Sequence, residues 1–190
     1  MWKISLTTYD PLELLSRRGD LMVWIWKFNE KKIYFYDTRE IDMKLDVTVR
    51  SALVSDLPLI VETYNTTIPG RMVTADTEPV TLESRKLWFS ELSPQSRPIW
   101  VIEHQDMVCG WVSFQSFYGR PAYNSTAEFS TYIHADYRGK GLDSFLLDRA
   151  MKAFPELQIK ILLGFILGHN TPRLALFERD LEIIAKRITT

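Results

Sequence analysis

The stretch from Ala127 to Ile166 limits what this chain can fold into more than any other. Ala127–Ile133 reads as a strand, Arg138-Gly139-Lys140-Gly141 is a short basic loop, Ser144–Phe154 carries an amphipathic helical pattern closed by Pro155, and Ile159–Ile166 is almost unbroken apolar sequence. An apolar run without alternation suits a strand buried on both faces. Upstream, Ile99–Glu103 and Val108–Phe117 read as two further strands, joined tightly at Asp106-Met107. Strands followed by a strand–loop–helix–strand unit predict one α/β domain, a mixed central sheet with helices on its faces.

The rest of the chain fits around that unit. Val47–Arg50 reads as a short strand, and Ser55-Asp56 opens a helix with Pro58 in its first turn. Thr66–Pro79 is loop-like, with a turn at Pro69-Gly70. Thr81 opens a second helix, in which Ser84 and Arg85 are expected to face solvent and Leu82, Leu87, Trp88 and Phe89 are apolar. Asn170-Thr171-Pro172 starts another helix from Arg173 to about Glu178, and Leu181–Ile188 reads either as a strand or as its continuation. Residues 1–45 have a different texture and are read as an N-terminal extension, with 46–190 as the domain. In the extension, Met22–Phe28 and Lys32–Tyr36 read as strands of a hairpin connected by Asn29-Glu30-Lys31. So many aromatic residues on a surface hairpin need something to cover them.

Composition removes several function classes. The formal net charge of -1 gives no reason to invoke nucleic acid or an anionic membrane as a partner. No apolar run is long enough for a membrane span, and Asp10, Glu13, Arg17, Arg18 and Asp20 break up any signal-peptide pattern. Cys109 is the sole cysteine, so no internal disulfide forms and a reducing, cytoplasmic setting is expected. As a nucleophile it would need a histidine such as His104; as a core residue it needs nothing. The 3 histidines are scattered, with no Cys/His spacing that fits a metal ligand set.

The basic loop carries the sharpest chemistry. From Ile133 through His134-Ala135-Asp136-Tyr137 to Arg138-Gly139-Lys140-Gly141-Leu142-Asp143-Ser144, a strand runs into a glycine-bearing loop and then a helix. Free N–H groups and the positive helix end there favour a phosphate, and glycines let the backbone approach it closely. The plainer reading is a turn shaped by two glycines with basic residues in solvent. On the segment alone both stand.

The wider pattern resembles the GNAT superfamily of N-acetyltransferases, whose acyl-CoA motif is Gln/Arg-x-x-Gly-x-Gly/Ala. Tyr64-Asn65, Thr74–Thr81, Phe117–Tyr123, Thr126-Ala127-Glu128 and Leu163–Asn170 resemble the phosphinothricin and methionine sulfoximine acetyltransferase branch, over about Met43 to Phe177. The resemblance implies acetyl-CoA as co-substrate, no metal, and a small amine substrate. It implies that Arg138, Gly139, Lys140, Gly141, Leu142, Asp143 and Ser144 hold the CoA diphosphate. Thr131, Tyr132 and Ile133 would pair with the pantetheine arm, and Asn170 would contact the cofactor unless it is a plain helix cap. Glu128 would be the general base, since an amine cannot attack until it loses a proton; alone, it reads as readily as a strand glutamate beside a cation. Arg120 and Tyr123 would contact the substrate, an arginine fork suiting an acceptor with paired oxygens; the alternative for Arg120 is a surface ion pair. Relatives pair as dimers, so a homodimer is left open.

The chain also departs from that pattern. Asp143 stands where Gly or Ala is usual and would set a carboxylate against the diphosphate. Phe177 replaces a tyrosine that could protonate the leaving thiolate. Leu176-Phe177-Glu178 runs straight into Arg179-Asp180-Leu181, as if an edge strand of the sheet had been deleted. The extension offers a hairpin that could cover such an edge. These departures keep open a non-catalytic domain of the same fold that binds without turnover.

Overall fold

The structure, a computed structural model, describes residues 12–18, 21–27 and 45–175, the first two stretches through their backbone. Among these residues seven strands form one mixed sheet. They are β1 (Leu12–Arg18), β2 (Leu21–Lys27), β3 (Thr48–Ser51), β4 (Ile99–His104), β5 (Met107–Ser116), β6 (Thr126–Ile133) and β7 (Ile161–Leu167), in the spatial order β1-β2-β7-β6-β5-β4-β3. All neighbours are antiparallel except β6 and β7. The helices are α1 (Leu57–Asn65), α2 (Leu82–Glu91) and α3 (Leu142–Ala153), and a helical segment at 171–175 follows β7. No helix among the described residues is long and apolar enough to cross a membrane.

Local chemistry sets these elements. Gln105 and Asp106 both take positive φ, 51° and 64°, which closes the β4–β5 hairpin with the twist its strands require. The Thr81 side chain accepts the Ser84 N–H at 3.1 Å and caps α2. Pro58 sits in the first turn of α1, where a missing N–H costs nothing.

The alternation of strand residues splits the interior. Phe114, Phe129, Ile133 and Leu162 pack beneath Leu146, Leu147 and Phe154 of the α3 side. Val101 and Trp111 face the other way, against Ile60 and Tyr64 of α1. Cys109 belongs to the first cluster, fully buried, with its thiol on the Ile102 carbonyl at 3.3 Å and its pKa pushed up by burial. His104 Nδ1 donates to the Asp46 carbonyl at 2.7 Å instead, so the pair does not form a nucleophilic site.

Gly110 lies opposite Ile133 in the ladder, and a Cβ there would stand 2.7 Å from Ile133 Cδ1 and 2.9 Å from the Tyr132 carbonyl oxygen. The second contact is backbone and yields little. Gly110→Ala is expected to lower stability by about 1–3 kcal/mol through overpacking, read as a lower midpoint in urea with an unchanged slope.

Two expectations need correction. The strand at Leu21–Lys27 is paired on both sides, by β1 and by β7. Its hairpin partner is therefore Leu12–Arg18, and Lys32–Tyr36 lies outside the described residues. Arg85 is half-buried rather than exposed: α2 turns Leu87 outward, 67% exposed, and Arg85 toward the cavity with Trp88. Phe177 and the expected terminal run Leu181–Ile188 also lie outside the described residues.

Candidate functional site

β6 and β7 part company early. They pair at Thr126–Ile161, Ala127–Leu162 and Glu128–Leu163 and no further. Beyond that point β6 keeps its ladder with β5 and β7 keeps its ladder with β2. The sheet thus opens into a cleft between Phe129–Ile133 and Gly164–Leu167. A cavity of about 410 Å³ fills it, walled also by Ile60, Tyr64, Arg85, Trp88 and Trp111.

Glu128 stands where the cleft begins. Its backbone is held between Gln115 of β5 and Leu163 of β7. Its side chain lines the cavity and has no hydrogen-bond partner among the described residues. Burial pushes its carboxyl up from the usual glutamate range, because a poorly solvated carboxylate holds its proton more tightly. Among the described residues no cation pairs with it, as the reading of a strand glutamate beside a cation would require. Tyr132, four residues on along the same face, stacks on Trp111 with centroids 4.4 Å apart, and burial pushes its hydroxyl strongly upward.

At the open end, β6 meets the glycine loop. Gly139 (φ 72°) and Gly141 (φ 84°) both adopt left-handed backbone, and a Cβ on Gly139 would meet nothing within 4 Å. The loop surface there is open to close approach, and Gly141 caps α3 without a side chain in the way. Lys140 rests over the Tyr137 ring at 4.9 Å. Arg138 Nε donates to the Ile133 carbonyl at 3.0 Å, and Arg173 donates to the Thr131 carbonyl at 3.4 Å. Both carbonyls lie on the edge of β6 that β7 has left unpaired.

Asp143, in the first turn of α3, is not isolated. Its Oδ1 accepts the Thr131 hydroxyl at 2.9 Å and faces Arg173 Nη1 at 3.4 Å, while Arg173 also donates to the Thr131 hydroxyl. The repulsive carboxylate expected from sequence is therefore partnered by a cation from the next helical segment. Asn170 is 7% exposed and fully engaged: its Oδ1 accepts the Arg173 N–H at 3.2 Å and its Nδ2 donates to the Met72 carbonyl at 2.7 Å. It caps the segment at 171–175 and ties it to the loop after α1.

A splayed parallel pair, a left-handed glycine loop on a helix start and a carboxyl in the cleft form one arrangement. The sequence profile of the Acetyltransferase (GNAT) family matches residues 60–182. This chain belongs to the GNAT acetyltransferase family. It is 53% identical over 134 residues to YwnH of Bacillus subtilis, which bears a provisional phosphinothricin acetyltransferase name, spanning 70% of this chain and 82% of that protein. It is 28% identical over 136 residues to the L-methionine sulfoximine/L-methionine sulfone acetyltransferase of Pseudomonas aeruginosa, with 71% and 79% covered. A GNAT phosphinothricin acetyltransferase from Sinorhizobium meliloti, solved in complex with acetyl-CoA, superposes with a TM-score of 0.65 at 26% identity, over 70% of this chain and 72% of that one.

Within this GNAT domain the expected site residues separate into two groups. Glu128, Thr131 and Tyr132 line the cavity, with Ile133 and Arg138–Ser144 leading away from its open end. Arg120 and Tyr123 do not line it. β5 ends at Ser116, the chain turns through left-handed Tyr118 and Gly119, and both residues lie exposed on that loop, Tyr123 in an aromatic cluster with Phe117 and Tyr118. Two GNAT cavity residues escaped the sequence reading, Arg85 and Arg173. The signal for Arg85 was its place three residues before Trp88, one helical turn along the same face. Arg173 could have been found from Asp143, since a carboxylate at an anion site asks for a cation nearby.

Proposed function

We propose that this GNAT acetyltransferase moves an acetyl group from acetyl-CoA to the primary amine of a small amino-acid-like molecule of the phosphinothricin or methionine sulfoximine type. The observation that carries the reading is Glu128, an unpartnered and partly desolvated carboxyl at the fork between β6 and β7. Names of the relatives point to the same substrate class, and the S. meliloti relative binds acetyl-CoA.

The residues present suit that co-substrate. The unladdered edge of β6 offers backbone carbonyls at Thr131 and Ile133 to a strand-like amide chain, once the side chains of Arg173 and Arg138 yield them. The loop Arg138–Ser144 offers backbone N–H groups, close approach at Gly139 and the charges of Arg138 and Lys140 to a diphosphate. When bound, acetyl-CoA supplies an acetyl group on a sulfur leaving group. Glu128 takes the proton that the acceptor's ammonium must lose, directly or through one water. Its raised pKa brings it nearer the pH of use and makes it a better proton acceptor than an exposed carboxylate. Trp88, Trp111 and Tyr132 form an aromatic wall that limits water around the amine.

The test is a thiol-release assay with acetyl-CoA against a panel of amino acids and simple amines. Steady CoA release is expected with methionine sulfoximine or phosphinothricin. Tight CoA binding without turnover of any amine would overturn the reading and leave a binding domain.

A further inference from the structure

Three charged side chains line the cavity: Arg85, Glu128 and Arg173. Arg173 is committed to Asp143 and Thr131. Glu128 is the acid. Arg85 is the remaining charge, and its guanidinium has no hydrogen-bond acceptor among the described residues. It is held by its face, with Cζ 4.9 Å from the Tyr64 ring centre and 5.3 Å from that of Trp88. Stacking of this kind fixes the plane of the fork and leaves its N–H edge unused.

Asp76 comes nearest to a partner. Its Oδ2 lies 3.7 Å from Arg85 Nη2, beyond hydrogen-bond distance, and Asp76 is not part of the cavity wall. That carboxylate already accepts the Tyr64 hydroxyl at 2.5 Å, which in turn meets Thr74 Oγ1 at 2.7 Å. Asp76 thus pairs with the cation by charge alone, without accepting a hydrogen bond from it. Arg85 and Glu128 thus bring opposite charges to the walls of one cavity.

We propose that Arg85 is the seat for the acceptor's oxoanion, so that the site selects a zwitterion whose amine faces Glu128 while its oxoanion is gripped by the Arg85 fork. The assignment rests on the acyl-transfer reading for the identity of the amine and deepens it by giving the acceptor a second required group. A bidentate arginine–carboxylate or arginine–phosphinate contact is charge-assisted and directional. It places an acceptor by two oxygens and so aims its nitrogen. Arg120, on the exposed loop, is replaced in this role by a residue of the cavity wall.

Calorimetric binding, with CoA present, tests this independently of turnover. The probes are methionine sulfoximine, whose oxoanion is its α-carboxylate; its decarboxylated amine; phosphinothricin; and the aminophosphinate lacking the carboxyl. Arg85→Gln keeps the stem packed between the rings and removes the charge. It is expected to weaken methionine sulfoximine by about 10- to 150-fold, the range for losing a hydrogen bond to a charged group. Affinity for the decarboxylated amine and for CoA should hold. Arg85→Lys, with charge but no fork, should recover part of the loss. If the aminophosphinate responds to Arg85→Gln as the carboxylate does, the seat takes either oxoanion; if only carboxylates respond, it takes the α-carboxylate. Equal losses for the charged and the decarboxylated probe, or no binding of any amino acid to the wild type, would overturn the assignment. Absence of turnover alongside an intact Arg85 effect would instead overturn only the acyl-transfer reading.

Discussion

Glu128→Gln is expected to lower kcat with the best acceptor by about a hundredfold to ten-thousandfold, the usual range for removing a general base. The amide occupies the same space, so acetyl-CoA affinity should hold within a few-fold. The wild-type rate should climb with pH through the folded value of Glu128, which lies above the ordinary glutamate range, and that limb should vanish in the variant. A second readout separates catalysis from structure. A carboxyl whose pKa is raised by burial binds its proton more tightly folded than unfolded, so its ionisation costs stability as pH rises from the unfolded value through the folded one. Glu128→Gln should therefore melt higher than the wild type at neutral pH, with the gain fading in acid below the ordinary glutamate range. A variant that lost both activity and stability at neutral pH would mark Glu128 as a structural residue.

Disturbing the Asp143–Arg173 pair should produce the second large effect. Asp143→Gly is expected to tighten acetyl-CoA binding, because it removes a carboxylate from the start of α3 and frees Arg173 to meet the diphosphate. Arg173→Ser should weaken it by leaving Asp143 uncompensated. Two unit charges ~4 Å apart interact by about 1 kcal/mol in water and about 4 kcal/mol at an effective dielectric near 20, so each change is expected between several-fold and roughly a thousandfold. Because the two side chains touch at 3.4 Å and share Thr131, their effects should not add. The double variant should depart from the sum of the singles by about tenfold or more in a calorimetric cycle. Additive effects, or no change in affinity in either single variant, would refute the pairing. Arg173 also covers the Thr131 carbonyl, so an amide chain lying along β6 must displace it.

The strand–loop–helix–strand unit was legible because each part carries its own signal: the alternation in β6, the glycines at positions needing positive φ, and the apolar run of β7, covered on both faces. The limits of α1 and the cap of α2 were equally readable from Pro58 and Thr81. What sequence obscured had physical causes. In α2, Leu82 and Leu87 point outward, 40% and 67% exposed, so apolar spacing did not mark the buried face and Arg85 was assigned to solvent. In the N-terminal hairpin, the aromatic run Lys32–Tyr36 outshone Leu12–Arg18, although Gly19-Asp20 between Arg18 and Leu21 is itself a two-residue turn signal. The partnering of Asp143 joins residues thirty apart in the chain, and local pattern carries no trace of it.

The fork between β6 and β7 has a mechanical corollary. The two cleft walls belong to separate ribbons, β3 to β6 on one side and β1, β2 and β7 on the other, spliced by three residue pairs. One shared core holds them at a set separation, since Leu146, Leu147 and Phe154 cluster with Phe129 of β6 and with Leu162 and Ile166 of β7. Glu128 sits in the splice itself, laddered to Gln115 on one side and Leu163 on the other, so both ribbons together fix where its carboxyl stands.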